Sequence, residues 1–450
     1  MGRYFGTDGF RGEANNNLTA DHAYKIGRFL GWYYGEVKRQ NGDDTPARIV
    51  IGKDTRRSSY MFEYTLVGGL VASGADAYLL HVTTTPSVAY VARTDEFDCG
   101  IMISASHNPY YDNGIKLINS RGEKMSESII ADIEAYIDGI IGELPYASRE
   151  NIGCTVDYAV GRNRYTGYII SLARNSYKDF NIGLDCSNGS TWMLAKSIFD
   201  ALGAHTFVIG NSPTGFNINK DCGSTHIEGL RSLVRDKGLD IGFAFDGDAD
   251  RCIAVDEKGQ VLTGDHILYL CGSYMKYKGE LKKNTVVTTG LYKAFDEKNI
   301  DYVKTDVGDK YVYEAMQEGG YCLGGEESGH VIFSKFASTG DGLISAIKVM
   351  EVLIESKLPS SGLCAGLEYY PQLTKNIRVD DKDAAVTDGD VLDAVKYAKD
   401  KLGDDGKVLL RKSGTEPVIR VTVEARGEDL CRTLVDKIAD TIVKKGYEVK

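Results

Sequence analysis

One arrangement recurs three times along the chain and constrains its fold class more than any other feature. A short apolar strand runs into a polar loop, a helix follows, and a small-residue turn leads to a second strand. The first copy reads Ile49-Val50-Ile51-Gly52, the loop KDTRRSS, a helix through LVGGLVA, the turn Ser73-Gly74-Ala75 and the strand AYLL. The second reads Ile182-Gly183-Leu184, DCSNGS, a helix through LAKSIFDAL, Gly203-Ala204 and HTFVIG. The third reads Val286-Val287, TTGL, a helix through YKAFDEK, Asn299-Ile300 and DYVKT. Alternation of this kind predicts α/β layers with largely parallel sheets. Copies more than one hundred residues apart imply repeated domains and not a solenoid. Such units are common, so the pattern sets a class and not an ancestry.

With 450 residues the chain has room for about three domains. The pattern breaks over LPYASRENIGCTV at 144–156, and a helix-like stretch at 160–176 opens the next segment. The turn Asp256-Glu257-Lys258-Gly259 and the stretch Pro359-Ser360-Ser361-Gly362 mark two further changes. The expected domains are therefore 1–155, 156–255, 256–365 and 366–450. The last reads strand (KNIRV), helix (DAVKYAKDKL), hairpin (KVLLRKSGTEPVIRVTVEA) and helix (LCRTLVDKIADTIVKK), a small α+β domain of a different kind.

Charge restricts the partners. The chain carries 53 basic and 64 acidic side chains, a formal −11, with no basic block. Such a surface repels nucleic acid and anionic membrane, so neither is an expected partner. Any phosphate must be held by a few local cations. No apolar stretch approaches the ~18 residues of a membrane span, and the opening MGRYFGTDGF lacks the pattern of a signal peptide. Nine singly spaced cysteines without C-x-x-C fit reduced, mostly buried thiols in a cytoplasmic protein.

Four motifs carry chemistry. In Ile101-Met102-Ile103-Ser104-Ala105-Ser106-His107-Asn108-Pro109 an apolar strand ends in small and polar residues closed by an Asn-Pro turn signal. Loops at the carboxyl edge of such sheets bind ligands, which makes Ser106 a candidate nucleophile; a plain turn is the alternative. As a surface hydroxyl Ser106 is expected to contribute little to stability. Pairing with His107 is geometrically awkward, because neighbours in an extended segment point to opposite sides.

The second motif follows the strand Leu239–Phe245: Asp246-Gly247-Asp248-Ala249-Asp250-Arg251. Three carboxylates at alternate positions, separated by Gly and Ala, can converge on one point and repel each other unless a cation neutralises them. Oxygen-only ligands favour a hard ion such as Mg²⁺. A calcium loop is the rival, since Glu257 falls at its position 12, but position 6 is Arg251 where glycine is needed and the flanks are strand-like. A solvated acidic hairpin also remains open.

The third, Gly324-Gly325-Glu326-Glu327-Ser328-Gly329-His330, sets acid, hydroxyl and imidazole between glycines and could hydrogen-bond a polyol. The fourth, Arg411-Lys412-Ser413-Gly414-Thr415-Glu416-Pro417 with Arg420 beyond, joins two apolar strands. Backbone N–H groups around a glycine turn, two hydroxyls and two guanidiniums suit a phosphate cradle. Both could equally be ordinary turns. Two smaller pieces are a glycine-rich turn presenting Arg11, and Lys116 shortly after the Ser106 loop.

Taken in order, GTDGFRG, SASHNP, DGDADR, GEESGH and RKSGTEP resemble the motifs of the α-D-phosphohexomutase superfamily from end to end. GKDTRRSS, YYDNGIKL, VGDKYV, STGDGL and GKVLLRKSGTEPVIRV narrow the resemblance to its bacterial glucosamine-phosphate branch. Ala249 stands where many relatives have Gly. The resemblance implies four domains, three related mixed-sheet α/β domains and a C-terminal TATA-binding-protein-like α+β domain. It implies a phosphoserine at Ser106, and Mg²⁺ held by Asp246, Asp248, Asp250 and a phosphoserine oxygen. Glu326 and Ser328 would meet sugar hydroxyls. Arg411, Ser413, Gly414, Thr415 and Arg420 would hold the distal phosphate. Arg11, Lys116, Arg251 and His330 match active-site groups, with Lys116 and His330 both open as general base.

The implied reaction interconverts glucosamine 6-phosphate and glucosamine 1-phosphate through glucosamine 1,6-bisphosphate, which serves as intermediate and activator. Its product would feed UDP-N-acetylglucosamine and cell-wall precursors. The partner is a small phosphosugar, and the chain a monomer or homodimer. A glucose- or mannose-phosphate mutase shares nearly every motif. A phosphatase and a non-catalytic calcium binder are the other readings.

Overall fold

In the computed structural model the apolar run Cys99–Ile103 is buried along its whole length, as the middle strand of a seven-stranded sheet. The structure describes residues 3–290, 293–364, 367, 370–403, 406–413 and 417–448. They fall into two compact units, Met1–Val287 with Asp306–Ala365, and Thr288–Thr305 with Gly366–Lys450.

The first segment contains β1 (Phe5–Gly6), β2 (Gly9–Glu13), α1 (Ala20–Gln40), β3 (Arg48–Lys53), α2 (Arg57–Ala72), β4 (Asp76–Val82), α3 (Thr85–Thr94), β5 (Cys99–Ile103), β6 (Asp112–Asn119), α4 (Glu127–Ile137) and β7 (Thr155–Asp157). Its sheet runs β1-β2-β6-β5-β3-β4-β7. β3 is parallel to β4 and β5, while β6 is antiparallel to β5 and β2. The sheet is thus parallel at its core and antiparallel along one flank, which folds the Lys116 strand back beside the Ser106 strand. β7 crosses the expected boundary at 155 and remains in this sheet, parallel to β4.

The second segment contains α5 (Ala159–Ser171), β8 (Asn181–Asp185), α6 (Leu194–Ala201), β9 (His205–Ile209), α7 (Glu228–Lys237), β10 (Ile241–Phe245), β11 (Cys252–Asp256) and β12 (Val261–Leu262), with sheet order β12-β11-β10-β8-β9. β10 and β11 are wholly buried, as their apolar sequences IGFAF and CIAV require, and pair antiparallel from Ile241↔Asp256 to Phe245↔Cys252. β12 continues this sheet beyond the turn at 256–259.

The third segment contains α8 (Gly264–Tyr277), β13 (Thr285–Thr288), α9 (Lys293–Glu297), β14 (Asp301–Lys304), α10 (Asp309–Gly319), β15 (Leu323–Gly325), β16 (Val331–Phe333), α11 (Gly342–Ser356) and α12 (Ser360–Leu363). Within the first unit β13, β15 and β16 lie side by side, β15 antiparallel to β16. α9 and β14 fall in the second unit. All three expected strand–helix–strand copies occur, as β3-α2-β4, β8-α6-β9 and β13-α9-β14. In the third, Leu291 and Tyr292 lie outside the described residues.

The last segment holds β17 (Gln372–Arg378), α13 (Lys382–Thr387), α14 (Gly389–Leu402), β18 (Gly406–Lys412), β19 (Val418–Ala425) and α15 (Glu428–Lys444). Its antiparallel sheet β17-β19-β18 buries Val421 and Val423 against Val391 and Leu434. Among the described residues no helix is long and apolar enough to cross a membrane. All nine cysteines are free and seven are buried.

Candidate active site

Ser106 lies three residues beyond the end of β5. It is 1% exposed, so it is not the surface hydroxyl expected from sequence. Nor is its backbone extended: φ is +52°, the left-handed region that costs a non-glycine residue of order 1–2 kcal/mol. That turn brings Ser106 Oγ within 3.3 Å of His107 Nδ1, and the objection to a Ser–His contact fails. The shorter contact is elsewhere, because Ser106 Oγ donates to Asp246 Oδ2 at 2.5 Å. Gly247 permits this approach: a Cβ there would lie 2.4 Å from the Ser106 carbonyl oxygen.

Asp246, Asp248 and Asp250 fill the turn between β10 and β11, all buried, with one oxygen of each within 4.8 Å of the others. Strands on both sides, not helices, remove the calcium-loop reading. Asp246 Oδ1 accepts from the Arg251 amide at 3.2 Å. Asp248 Oδ2 accepts from Thr85 Oγ1 at 2.5 Å and from Lys116 Nζ at 2.8 Å. The Oδ1 atoms of Asp248 and Asp250 are buried with no hydrogen-bond partner. Burial, with repulsion from Asp250 and Asp248, pushes the Asp246 carboxyl well above the usual range. Burial raises Asp250 too, but Lys116, His330 and Arg251 outweigh it and hold that carboxyl well below. Three crowded oxygen donors, two with orphaned atoms, fit a hard divalent cation such as Mg²⁺. Ala249 sits at φ +59°, which accounts for glycine being acceptable there.

Lys116 lies on β6, opposite Met102 of β5. Its ammonium reaches Asp248, Asp250 at 3.4 Å and Asp8 at 3.1 Å. Burial pulls its pKa down, yet Asp248, Asp8 and Asp250 outweigh that and hold it above the usual lysine range. Asp8 also pairs with Arg11. It belongs to the GTDGFRG turn, where an acid three residues before Arg11 was the overlooked signal. Arg251 Nε stands 3.9 Å from Asp250 Oδ1.

His330 follows β15 and is 2% exposed. The Gly340 amide donates to its Nε2 at 3.1 Å, which places the proton of the neutral ring on Nδ1, 3.8 Å from Asp250 Oδ2. His107 is neutral at pH 7, since burial and then Arg251 and Arg11 lower it to about 4. Glu326 is buried and its Oε1 accepts from the Gly308 amide at 2.8 Å, while Ser328 is exposed. The loop packs on the start of α8, where a Cβ on Gly264 would fall 2.0 Å from the Glu326 carbonyl oxygen. One cluster therefore gathers Ser106, the three aspartates, Lys116, Arg11, Arg251 and His330, centred on Asp250.

In the second unit Arg411 and Arg420 face each other in the β18–β19 register, both exposed. Ser413 is buried, its amide donating to Val418 O at 3.0 Å and its carbonyl accepting from Lys382 Nζ at 2.7 Å. Gly414 and Thr415 lie outside the described residues.

Models of the phosphoglucomutase/phosphomannomutase domains match four successive stretches. The α/β/α domains I, II and III match residues 2–141, 163–259 and 263–370, and the C-terminal domain matches 375–441. The chain belongs to the phosphoglucomutase/phosphomannomutase family. Within this family it is 66% identical to a phosphoglucosamine mutase of Lachnospira eligens, over 100% of both chains. Among solved structures it resembles a phosphoglucomutase/phosphomannomutase family protein from Burkholderia thailandensis, with a TM-score of 0.79, 24% identity and 100% and 99% of the two chains covered. It also resembles the N-acetylphosphoglucosamine mutase of Aspergillus fumigatus in complex with GlcNAc-6P and magnesium, with a TM-score of 0.64, 16% identity and 99% and 96% coverage.

Proposed function

We propose that this chain interconverts glucosamine 6-phosphate and glucosamine 1-phosphate, with Ser106 as the phosphoryl carrier. The observation that carries the mechanism is the buried Ser106 Oγ against Asp246 in a cluster of three carboxylates with orphaned oxygens. The choice of sugar rests on the full-length similarity to the Lachnospira eligens enzyme.

In this reading phosphorylated Ser106 gives its phosphoryl group to the free hydroxyl of the sugar phosphate. The bond from phosphorus to Ser106 Oγ breaks, a bond to the sugar oxygen forms, and the hydroxyl proton passes to a base. The 1,6-bisphosphate turns over, and Ser106 takes back the other phosphoryl group. Asp246, Asp248, Asp250 and a phosphoserine oxygen would hold Mg²⁺, which supplies neutralisation of the transferring group's charge. Catalysis of this reaction is mostly positioning and charge stabilisation. Arg11 and Arg251 add positive charge beside Ser106, and Glu326 and Ser328 orient the sugar hydroxyls. Arg411, Ser413, Gly414, Thr415 and Arg420 hold the phosphate that is not reacting. Arg411 and Arg420 stand opposite each other across the strand pair, two guanidiniums on one hairpin that suit a phosphate.

The base is a choice between Lys116 and His330. The Lys116 ammonium, held by Asp248, Asp8 and Asp250, must first lose a proton. The His330 Nε2 lone pair already accepts the Gly340 amide. Lys116 is favoured, because the one unprotonated nitrogen of the neutral His330 ring is already taken by the Gly340 amide.

The test is a rate comparison on glucosamine, glucose and mannose phosphates, with intact mass of the protein as isolated. Fastest turnover of the glucosamine pair and one phosphate on Ser106 are expected. A faster hexose phosphate overturns the substrate, and net phosphate release in place of isomerisation overturns the mutase reading.

A further inference from the structure

The Ser106 backbone is held from two sides by groups outside the reacting cluster. Its carbonyl oxygen accepts from Arg56 Nη2 at 3.1 Å and from Asn219 Nδ2 at 2.9 Å. The Asn108 carbonyl accepts from the same two donors, at 2.6 and 3.0 Å. Two donors and two acceptors thus close a four-bond clamp around the peptides flanking His107. Arg56 is fully buried and pinned by an ion pair to Asp54. It comes from the loop between β3 and α2, beside the serine's own strand. Asn219 comes from the segment between β9 and α7, which belongs to the sheet that carries the aspartates.

The Asn219 side of this clamp is strained. Asn219 has φ +59° and donates its amide to Ser187 O at 2.8 Å, and Ser187 and Asn188 are left-handed as well, at +52° and +50°. Thr55 Oγ1, one residue before Arg56, donates to Asn188 O at 2.6 Å. Non-glycine residues in this conformation persist only where their surroundings over-determine them, and they gather at functional sites. For Asn219 those surroundings include the Ser106 and Asn108 carbonyls.

We infer that Asn219 and Arg56 are positioning residues for phosphoryl transfer, holding the Ser106 peptide so that its Oγ stays against the metal-binding carboxylates. The inference rests on the phosphoserine reading above. Neither residue touches the reacting atoms. Asn219 has the larger role in setting the distance, because its side-chain amide ties two carbonyls of the serine loop to the segment that leads from β9 to α7. Displacing a reacting group by about 1 Å costs on the order of 10²-fold in rate, so a loosened loop shows in turnover before it shows in substrate affinity.

Two substitutions test this in the full chain. Asn219→Gly keeps the left-handed backbone and removes the amide. Asn219→Asp keeps the shape and turns a carboxylate oxygen toward two carbonyls. Both are expected to lower kcat by about tenfold to a hundredfold with KM within about twofold. Isothermal titration with Mg²⁺ alone should give a several-fold weaker affinity, and intact mass should show the wild-type phosphate content. Unchanged kcat and Mg²⁺ affinity in both variants overturns the inference. So does a kcat loss matched by an equal loss of phosphorylated, folded protein, which marks a structural role only. Ser106→Ala separates the two levels. Activity retained there sinks the phosphoserine reading, whereas a dead Ser106→Ala beside normal Asn219 variants sinks the clamp alone.

Discussion

Replacing Ser106 by alanine probes the chemistry and the packing of the site at once. Its hydroxyl is buried and donates to a carboxylate at 2.5 Å. A hydrogen bond to a charged partner contributes about 1.5–3 kcal/mol net, and a buried acceptor left unsatisfied costs its desolvation. Repulsion from Asp250 and Asp248 and the burial of Asp246 already favour protonation of that acceptor, which lowers the worth of the serine's donation. The metal-free variant should therefore lose about 1.5–2 kcal/mol, the lower part of that range. With Mg²⁺ present the loss should shrink, because the cation takes over the carboxylate oxygens. Turnover should vanish in either case.

Denaturant unfolding of wild type and variant, with and without Mg²⁺, reads the first quantity, and a coupled mutase assay with intact mass reads the second. Near-normal mutase activity in Ser106→Ala refutes the carrier role. Superimposable unfolding curves without metal refute the buried hydrogen bond and restore the surface hydroxyl expected from sequence.

Lys116→Met removes the ammonium shared by three carboxylates and should destabilise the metal-free protein by about 3–5 kcal/mol, with Mg²⁺ recovering part of it; an equal loss with and without Mg²⁺ contradicts the trio as a cation site. Arg411→Ala removes a charge-assisted phosphate contact worth about 1.5–3 kcal/mol, so KM should rise tenfold or more, and unchanged kinetics contradict the cradle. His266 Nδ1 accepts from the Thr263 amide at 3.1 Å at the start of α8, and burial lowers its pKa to about 4. The unfolded chain, with histidine near 6.5, binds more protons between those values, so this group's stabilisation is complete above about 6.5 and is lost as pH falls toward 4. Going from pH 7 to pH 5 should lower the unfolding midpoint of wild type more than that of His266→Asn, and equal drops contradict the cap.

What could be read from sequence was what is local. β5 and β10 are short apolar runs, and each ends in its chemistry within three residues, so Ser106 and the aspartates stood out without any tertiary information. The hairpin carrying Arg411 and Arg420 was legible for the same reason: its two strands and their turn are contiguous. The conformation of Ser106 was not, because its cause is non-local. Its carbonyl is held by Arg56 and Asn219, 50 and 113 residues away in sequence, and Gly247, without a side chain, leaves room for it. The same separation hid Thr85, whose hydroxyl reaches Asp248 across 163 residues. Asp8 sat inside a motif already singled out, but its partner Lys116 is brought to it only when β2 and β6 pair. The segments that lent the expected boundaries their plausibility also misled: the turns at 144–156 and 256–259 look like breaks in composition, yet β7 and β12 each add a last edge strand to the sheet before them. A strand of two or three residues carries too little periodicity to register, whereas its hydrogen bonds to a long neighbour suffice to hold it there. Chemistry that lies along the chain is therefore visible in this sequence, and chemistry that depends on one loop gripping another becomes visible only once the loops are placed.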